Sequence, residues 1–110
     1  MKRADRPESL ADLGRFSEPA LYILISLADA PKHGYAMTLD IEQITGQRPG
    51  PGTLYGAITR LEARGWIEPL PSEDRRRPYR LTGAGLKVLR ARLDSLKHVT
   101  RVAQTRLVES

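Results

Sequence analysis

The chain has 110 residues, of which 40% are apolar and 28% charged, and its formal net charge is +5. This composition is typical of one soluble globular domain, and the absence of cysteine excludes disulfides, thiolate metal sites and cysteine nucleophiles. The longest apolar run, 20–28, is too short to cross a bilayer, and the N-terminus lacks the apolar segment of a signal peptide. We therefore expect a cytoplasmic protein without a membrane partner.

The positive charge is concentrated in the C-terminal third of the chain. Residues 1–70 contain eight Lys or Arg and nine Asp or Glu, whereas residues 71–110 contain ten and four. A local basic excess of this kind suits a surface that binds phosphate groups, although a solvated helix face gives the same count.

The first 30 residues predict an N-terminal segment followed by a buried helix. Residues 1–15 are polar apart from two leucines, so we expect an arm or a short helix over 8–14. The sequence Ser17-Glu18-Pro19 is typical of a helix start, with the serine as the cap. The apolar run 20–28 follows it and predicts the central helix of the domain.

The next segment predicts a helix-turn-helix. A second helix is expected over about 34–45, because Gly46 follows it, and His33 precedes it as a cap or a phosphate contact. The sequence Gly50-Pro51-Gly52 then begins a third helix, which Gly65 ends. Two helices of about a dozen residues joined by a short glycine-containing turn have the helix-turn-helix arrangement.

After the third helix the apolar period changes to two. Segments 66–70 and 77–81 predict short strands that form a hairpin with a charged tip, where Glu73 and Asp74 are expected to point away from DNA or to pair with arginine. A run of arginines alone usually marks a solvated loop. Here the run lies at the tip of the hairpin that follows the helix-turn-helix, which we call the wing, and this position favours contact with DNA. The run consists of Arg75, Arg76 and Arg77, and with Arg80 it is placed to reach the adjacent minor groove or the backbone.

From Thr82, a candidate N-cap, the chain predicts one helix to about Val108. Its apolar positions alternate in steps of three and four, which is the heptad pattern of a helix that packs on another helix. The seam could pack within one chain, but the helix is longer than the small core can cover, so we expect a homodimer interface. The seam consists of Leu86, Leu89, Leu93, Leu96, Thr100, Ala103 and Leu107.

These elements predict a mainly α protein with a small β-hairpin, that is, a winged helix-turn-helix with a long C-terminal dimerisation helix. We divide it into residues 1–15 as the N-terminal arm or short helix, 16–82 as the DNA-binding domain and 83–110 as the dimerisation helix. In this plan the third helix is the recognition helix, and double-stranded DNA is the expected partner.

The outer face of the third helix carries the candidate DNA contacts. If Leu54, Ile58 and Leu61 face the core, the residues left outside are polar or small. Hydroxyl groups can reach phosphates or base edges, an arginine can pair with guanine or a phosphate, and a glycine lets a backbone approach closely. These residues are Thr53, Tyr55, Gly56, Thr59 and Arg60. The glycine-proline-glycine start could simply make a sharp turn, but it also frees first-turn amides for a phosphate.

Five segments resemble the PadR-type bacterial transcriptional regulators, and the resemblance covers about residues 17–90 in order. They are Leu21-Tyr22-Ile23-Leu24, Lys32-His33-Gly34-Tyr35, Pro51-Gly52-Thr53-Leu54-Tyr55, Arg60-Leu61-Glu62 with Gly65, and Arg75-Arg76-Arg77-Pro78-Tyr79-Arg80-Leu81-Thr82. The chain differs at Gly56, where many members have proline, and at Pro78, where an aromatic residue is frequent.

The resemblance implies a homodimeric winged-helix regulator, commonly a repressor, from the small subfamily without a larger C-terminal domain. It implies that Gly34, Tyr35, Gly52, Thr53 and Tyr55, together with the wing arginines, serve the fold or contact DNA. It also implies a small aromatic or cationic effector, for which the sequence indicates no pocket.

Two other classes of function are weighed against this prediction. A winged helix can serve as a protein-interaction module without specific DNA binding, but an acidic or apolar third helix would then be expected. An enzyme has almost no support, because His33 and His98 lie in different predicted elements and lack catalytic or metal-binding neighbours. We expect no metal, no cofactor and no catalytic residue.

Overall fold

The computed structural model describes residues 7–72 and 75–109 and has a winged-helix fold. An N-terminal 3-10 helix precedes four α-helices and a two-stranded antiparallel hairpin, so the predicted fold class is confirmed. No helix within these residues is long and apolar enough to cross a membrane. The elements are the 3-10 helix Leu10–Phe16, α1 Ser17–Asp29, α2 Gly34–Thr45, α3 Pro51–Ala63, β1 Ile67–Pro69, β2 Tyr79–Leu81 and α4 Gly83–Glu109.

Helix α1 is the centre of the domain, as its apolar run predicts. It packs against the 3-10 helix, α2, α3, α4 and β2. Ile23 and Leu24 are completely buried, and the surrounding elements contribute Met37, Leu61 and Ile67 to the same core. Burial of this apolar surface is the main source of the domain's stability.

The segment before α1 is a short helix and belongs to the core. Leu10 and Leu13 are 1% and 8% exposed, so the part of the 1–15 segment that the structure describes packs on the domain. The prediction that Ser17 caps α1 is wrong. Gly14 has φ of 58° and turns the chain directly from the 3-10 helix into α1, so Ser17 is already helical and its hydroxyl donates to the Gly14 carbonyl at 2.6 Å.

Helices α2 and α3 form the helix-turn-helix at the predicted positions. Gly46 ends α2 in the left-handed conformation, with φ of 82°, which favours glycine. Pro51 is the first residue of α3, where its missing N–H costs no helical hydrogen bond. Leu54, Ile58 and Leu61 of α3 face the core and are at most 2% exposed, as predicted.

The hairpin is present but its strands are shorter than predicted. Ile67 pairs with Leu81 and Pro69 with Tyr79, and Pro78 stands just before β2. Prolines lack the N–H that a ladder requires, which is consistent with their positions at the strand ends. Tyr79 also exchanges backbone hydrogen bonds of 2.9 and 3.1 Å with Lys32, so the wing is attached to the loop between α1 and α2.

Helix α4 begins as predicted and then leaves the body of the domain. The Thr82 hydroxyl accepts the Gly85 amide at 3.0 Å and donates to the Gly65 carbonyl at 2.6 Å, which confirms the N-cap. Val88 and Leu89 are buried in the core of the chain itself. Leu89 was predicted in the dimer seam, and its place in the core removes it from a surface that a partner could reach.

Candidate nucleic-acid interface

Helix α3 begins with an exposed first turn. Gly50 is the extended cap residue, and its carbonyl accepts the Leu54 amide at 2.9 Å. The amides before Leu54 have no acceptor inside an α-helix, because the first turn of any helix leaves its N–H groups unpaired. A Cβ on Gly52 would meet no atom of the described chain within 4 Å, so packing does not require glycine there. This end of α3 is open to an anionic ligand.

The outer face of α3 presents hydroxyl groups beside the exposed first turn. Thr53, Tyr55 and Thr59 are all exposed, and the Thr59 hydroxyl donates to the Tyr55 carbonyl at 2.9 Å. The expectation that Gly56 leaves room for DNA is wrong, because a Cβ there would stand 2.7 Å from Cε1 of Phe16. The space above Gly56 is therefore filled by the chain's own aromatic ring.

Arg60 lies on the side of α3 that Phe16 covers. Its guanidinium carbon is 3.9 Å from the centroid of the Phe16 ring, and its Nη1 donates to the Gly56 carbonyl at 3.0 Å. The guanidinium of Arg15 lies over the same ring, at 4.9 Å. Sequence analysis did not identify Arg15 or Phe16 as part of this site. The one signal in the sequence was Gly56, a glycine on the outer face of α3, where the Phe16 ring packs.

The N-terminus of α2 meets α3 through Tyr55. A Cβ on Gly34 would collide with the Tyr55 hydroxyl, so glycine is required for this contact. His33 caps α2, its Nδ1 accepting the Ala36 amide at 3.4 Å, which confirms one of its two predicted roles. Tyr35 is 61% exposed beside it. The two tyrosines, predicted from the resemblance, are therefore brought to the same side of the domain.

The wing lies across a surface pocket from these tyrosines. Arg75, Arg76 and Arg77 are exposed, and Glu73 and Asp74, for which we expected an orientation or an arginine partner, lie outside the described residues. The pocket has a volume of about 320 Å³. It is lined by His33, Gly34, Tyr35, Tyr55, Arg75, Arg76, Arg77 and Tyr79.

Tyr79 of the wing lies close to Glu62 of α3. Burial raises the pKa of the Tyr79 phenol above its ordinary value, and the nearby negative charge of Glu62 raises it further. The phenol therefore stays neutral at physiological pH, beside a carboxylate in the C-terminal half of the candidate recognition helix.

The arginines of the domain fall into two groups. Three form ion pairs within the chain: Arg48 with Glu42 at 2.9 Å, Arg64 with Glu8 at 3.1 Å and Arg80 with Glu68 at 2.6 Å. The Glu42 pairing also raises the pKa of the Arg48 guanidinium. Arg15, Arg60, Arg75 and Arg77 have no carboxylate partner within residues 7–72 and 75–109, and they lie on the two flanks of α3. The arginines of α4 also have no carboxylate partner among the described residues; they are Arg90, Arg92, Arg101 and Arg106.

Metal binding is not supported by the described side chains. Across residues 7–72 and 75–109 no three His, Cys, Asp or Glu side chains are grouped closely enough to hold a metal ion. The surface instead offers hydroxyl, phenol and guanidinium groups, all hydrogen-bond donors, around the exposed N-terminus of α3.

Comparisons with known proteins agree with this architecture. The profile of the Transcriptional regulator PadR-like family matches residues 23–91. Transcriptional regulator Rv3488 of Mycobacterium tuberculosis is 39% identical over 87 residues, covering 74% of this chain and 78% of the relative. The 37.1 kDa protein in transposon TN4556 of Streptomyces fradiae is 43% identical over 86 residues, which cover 78% of this chain. The chain spans only 25% of that relative's length.

Solved structures show the same fold. A transcriptional regulator from Clostridium thermocellum has a TM-score of 0.72 and 28% identity, covering 86% of this chain and 94% of that one. A PadR family regulator from Clostridium difficile R20291 has a TM-score of 0.71 with 81% and 97% covered, and its 21% identity supports the fold alone. The chain belongs to the PadR-like family of transcriptional regulators, a class of regulators and not of enzymes.

Proposed function

We propose that this chain is a sequence-specific regulator that binds double-stranded DNA as a homodimer and represses transcription. The observation that carries the proposal is the distribution of arginines. Arg15 and Arg60 on one side of α3, and Arg75 and Arg77 on the other side, have no carboxylate partner within residues 7–72 and 75–109. Unpaired guanidinium groups on both sides of an exposed helix match the charge of a duplex backbone on both sides of its groove.

In this proposal α3 enters the major groove. The exposed hydroxyls of Thr53, Tyr55 and Thr59 reach base edges or phosphates, and the amides at Gly52 bind a phosphate at the positive end of the helix dipole. Tyr35 and the wing arginines Arg75, Arg76 and Arg77 contact the backbone beside it. Family membership supports this assignment of α3, and the role of each residue can be tested by mutation.

The distal part of α4 supports the homodimer. The helix has 27 residues, about 40 Å at ~1.5 Å per residue, and its buried residues are all at its beginning. Beyond residue 90 the predicted seam is exposed in the single chain, with Leu93 at 38%, Leu96 at 40% and Leu107 at 74%. A second copy would cover this seam together with Thr100 and Ala103, and Leu86 would lie at its edge. The two recognition helices would then read half-sites about one helical turn, ~34 Å, apart.

Repression and release by an effector complete the proposal. A regulator that occupies a promoter excludes polymerase, and a small aromatic or cationic compound could release it by changing the spacing of the two α3 helices. A groove of about 360 Å³ between the 3-10 helix and α4, partly lined by Val88, Leu96 and Val99, offers an apolar surface next to the proposed seam. Compounds that bind there should lower affinity for the operator.

The test is fluorescence anisotropy with the duplex immediately upstream of the protein's own coding sequence, titrated in the presence of a random-sequence competitor. We expect tight binding that survives the competitor. Arg75→Ala combined with Arg77→Ala should weaken binding to every duplex and reduce the salt slope by about 2, one for each phosphate contact. Arg80→Ala is the matched control, because Arg80 is already paired with Glu68.

Two results would contradict the proposal. Equal, weak binding to both duplexes would leave a general backbone binder without sequence preference. No binding at low salt would favour the alternative function, a winged-helix module that binds proteins.

A further inference from the structure

The ring of Phe16 lies between α3 and two arginines. One part of the ring packs on Gly56, where even a Cβ would come within 2.7 Å of it. The Arg60 guanidinium is 3.9 Å from the ring centroid and that of Arg15 is 4.9 Å from it. An aromatic face attracts guanidinium cations at such distances, so the ring brings together one arginine of α3 and one of the 3-10 helix.

No carboxylate of the described residues neutralises the two positive charges at this ring. Neither Arg15 nor Arg60 forms an ion pair with any residue that the structure describes. Arg64, the C-cap residue directly after α3, differs because carboxylate oxygens of Glu8 and Asp12 lie 3.1 and 3.6 Å from its Nη1. The acidic residues of this region therefore neutralise Arg64, and the pair on Phe16 remains available to an external anion.

The geometry of Arg60 determines what it can contact. Its flat face lies on the ring and Nη1 is bonded to the Gly56 carbonyl, which leaves the other N–H groups along the edge of the guanidinium. The side chain is therefore folded back over the helix, with its guanidinium on the same ring that Arg15 contacts. A guanidinium edge is suited to the oxygens of a phosphate.

We propose that Arg15 and Arg60, held by Phe16, bind one phosphodiester of the DNA backbone next to α3. Arg60 then contacts the backbone and does not read a base, and the 3-10 helix contributes a DNA contact of its own through Arg15. Phe16 is a positioning residue, since it acts through the two arginines. This proposal rests on the proposed function, because it requires that α3 faces DNA.

The first test uses a random-sequence duplex, because a backbone contact does not depend on an operator. Affinity is measured by fluorescence anisotropy over a range of salt concentrations for the wild type, Arg15→Gln and Arg60→Gln. Each variant should weaken binding to random and upstream duplexes by the same factor and reduce the salt slope by about 1. Arg64→Gln, which removes the same charge at the C-terminal end of α3, is the matched control and should change the slope much less.

The second test separates positioning from folding. Phe16→Leu keeps an apolar side chain over Gly56 but removes the aromatic face, and should weaken duplex binding about two- to fivefold. In the Arg15→Gln/Arg60→Gln background the same substitution should have no further effect on affinity. An equal loss in both backgrounds would show a purely structural role for Phe16 and overturn the positioning claim. Thermal unfolding of each variant identifies any that do not fold, and Phe16→Met then replaces Phe16→Leu.

The outcomes distinguish this proposal from the proposed function. If the glutamine variants bind like the wild type while the wing double variant binds weakly, the proposal of a phosphate site at Phe16 is wrong. The proposed function as a DNA-binding regulator is then unaffected. A loss confined to the upstream duplex in Arg60→Gln would show base reading and would also overturn the site. If the wild type binds no duplex at low salt, both proposals fail.

Discussion

The two parts of α4 have the same heptad pattern in different surroundings. At the start of the helix Val88 and Leu89 pack into the core and are 8% and 4% exposed, whereas Leu96, one heptad after Leu89, is 40% exposed. Periodicity shows which face of a helix is apolar, but neighbouring elements decide what covers that face. The comparison teaches that one seam can serve two purposes. Its first turns complete the fold of the chain, and we propose that the rest binds a second copy.

The largest expected effect comes from truncating the buried end of the seam. Leu89→Ala removes a core side chain and should lower the free energy of unfolding by about 2–5 kcal/mol, through lost burial and the cavity left behind. The loss should be independent of protein concentration. Urea unfolding followed by circular dichroism measures it, and a loss below about 1 kcal/mol would show that Leu89 is not a core residue.

The matched substitution one heptad later should change assembly and leave the fold intact. Leu96→Lys places a charge in the proposed interface, so the variant should sediment as a folded monomer with the helical circular dichroism spectrum of the wild type. Sedimentation velocity measures this directly. A Leu96→Lys protein that remains a dimer would contradict the assignment of the distal seam.

The next effect concerns how α4 is joined to the body of the domain. A Cβ on Gly85 would collide with the backbone carbonyl of Trp66, and a backbone cannot move aside as a flexible side chain can. Gly85→Ala should therefore lower the free energy of unfolding by about 1–3 kcal/mol. Gly83→Ala is the control, because a Cβ there meets nothing within 4 Å. Equal stability of the two variants in urea would show that the close approach at Gly85 is not strained by a methyl group.

A smaller effect is expected at the N-cap of α4. Thr82→Ala removes the acceptor of the Gly85 amide and the donor to the Gly65 carbonyl, and should cost about 1 kcal/mol. Thr105→Ala, on the exposed part of α4 and outside the proposed seam, has no such bonds among the described residues and serves as the control for stability. Matching urea midpoints for the two variants would contradict the capping role.

The smallest effect is a pH dependence from Tyr79. Burial and Glu62 raise the pKa of its phenol above the ordinary value of 10.0 in the folded chain, so the folded state retains this proton longer than the unfolded state. The contribution to stability is complete below the unfolded pKa and is lost as pH rises through the folded pKa. Tyr79→Phe should therefore show a flatter stability profile as pH rises above the ordinary tyrosine pKa of 10.0. Parallel profiles for the two proteins would contradict the shift.

The fold could be predicted largely because proline and glycine mark its boundaries. Gly46, Pro51 and Gly65 have local conformational requirements that do not depend on distant contacts, and the helices between them begin and end where predicted. The start of α1 was predicted less well. Whether Ser17 caps a helix depends on the backbone of Gly14 before it, which the cap pattern alone does not include.

The candidate site was predictable only in part. The wing arginines and the exposed hydroxyls of α3 follow from sequence position and helical period. The contact between Phe16 and Arg60 joins residues far apart in the chain, and the pairing of Arg80 with Glu68 depends on strand register. Such contacts arise from tertiary packing, so local patterns cannot identify which arginines are paired and which are available.

The most direct test of the central claim is the stoichiometry of the complex with DNA. Sedimentation velocity of a fluorescently labelled upstream duplex, with increasing protein and excess random competitor, gives the mass of the bound species. The account predicts a complex of two chains per duplex, formed by the wild type and lost in Leu96→Lys. A complex of one chain per duplex would contradict the claim that the protein binds DNA as a dimer. A two-chain complex that Leu96→Lys forms equally well would contradict dimerisation through the distal seam of α4.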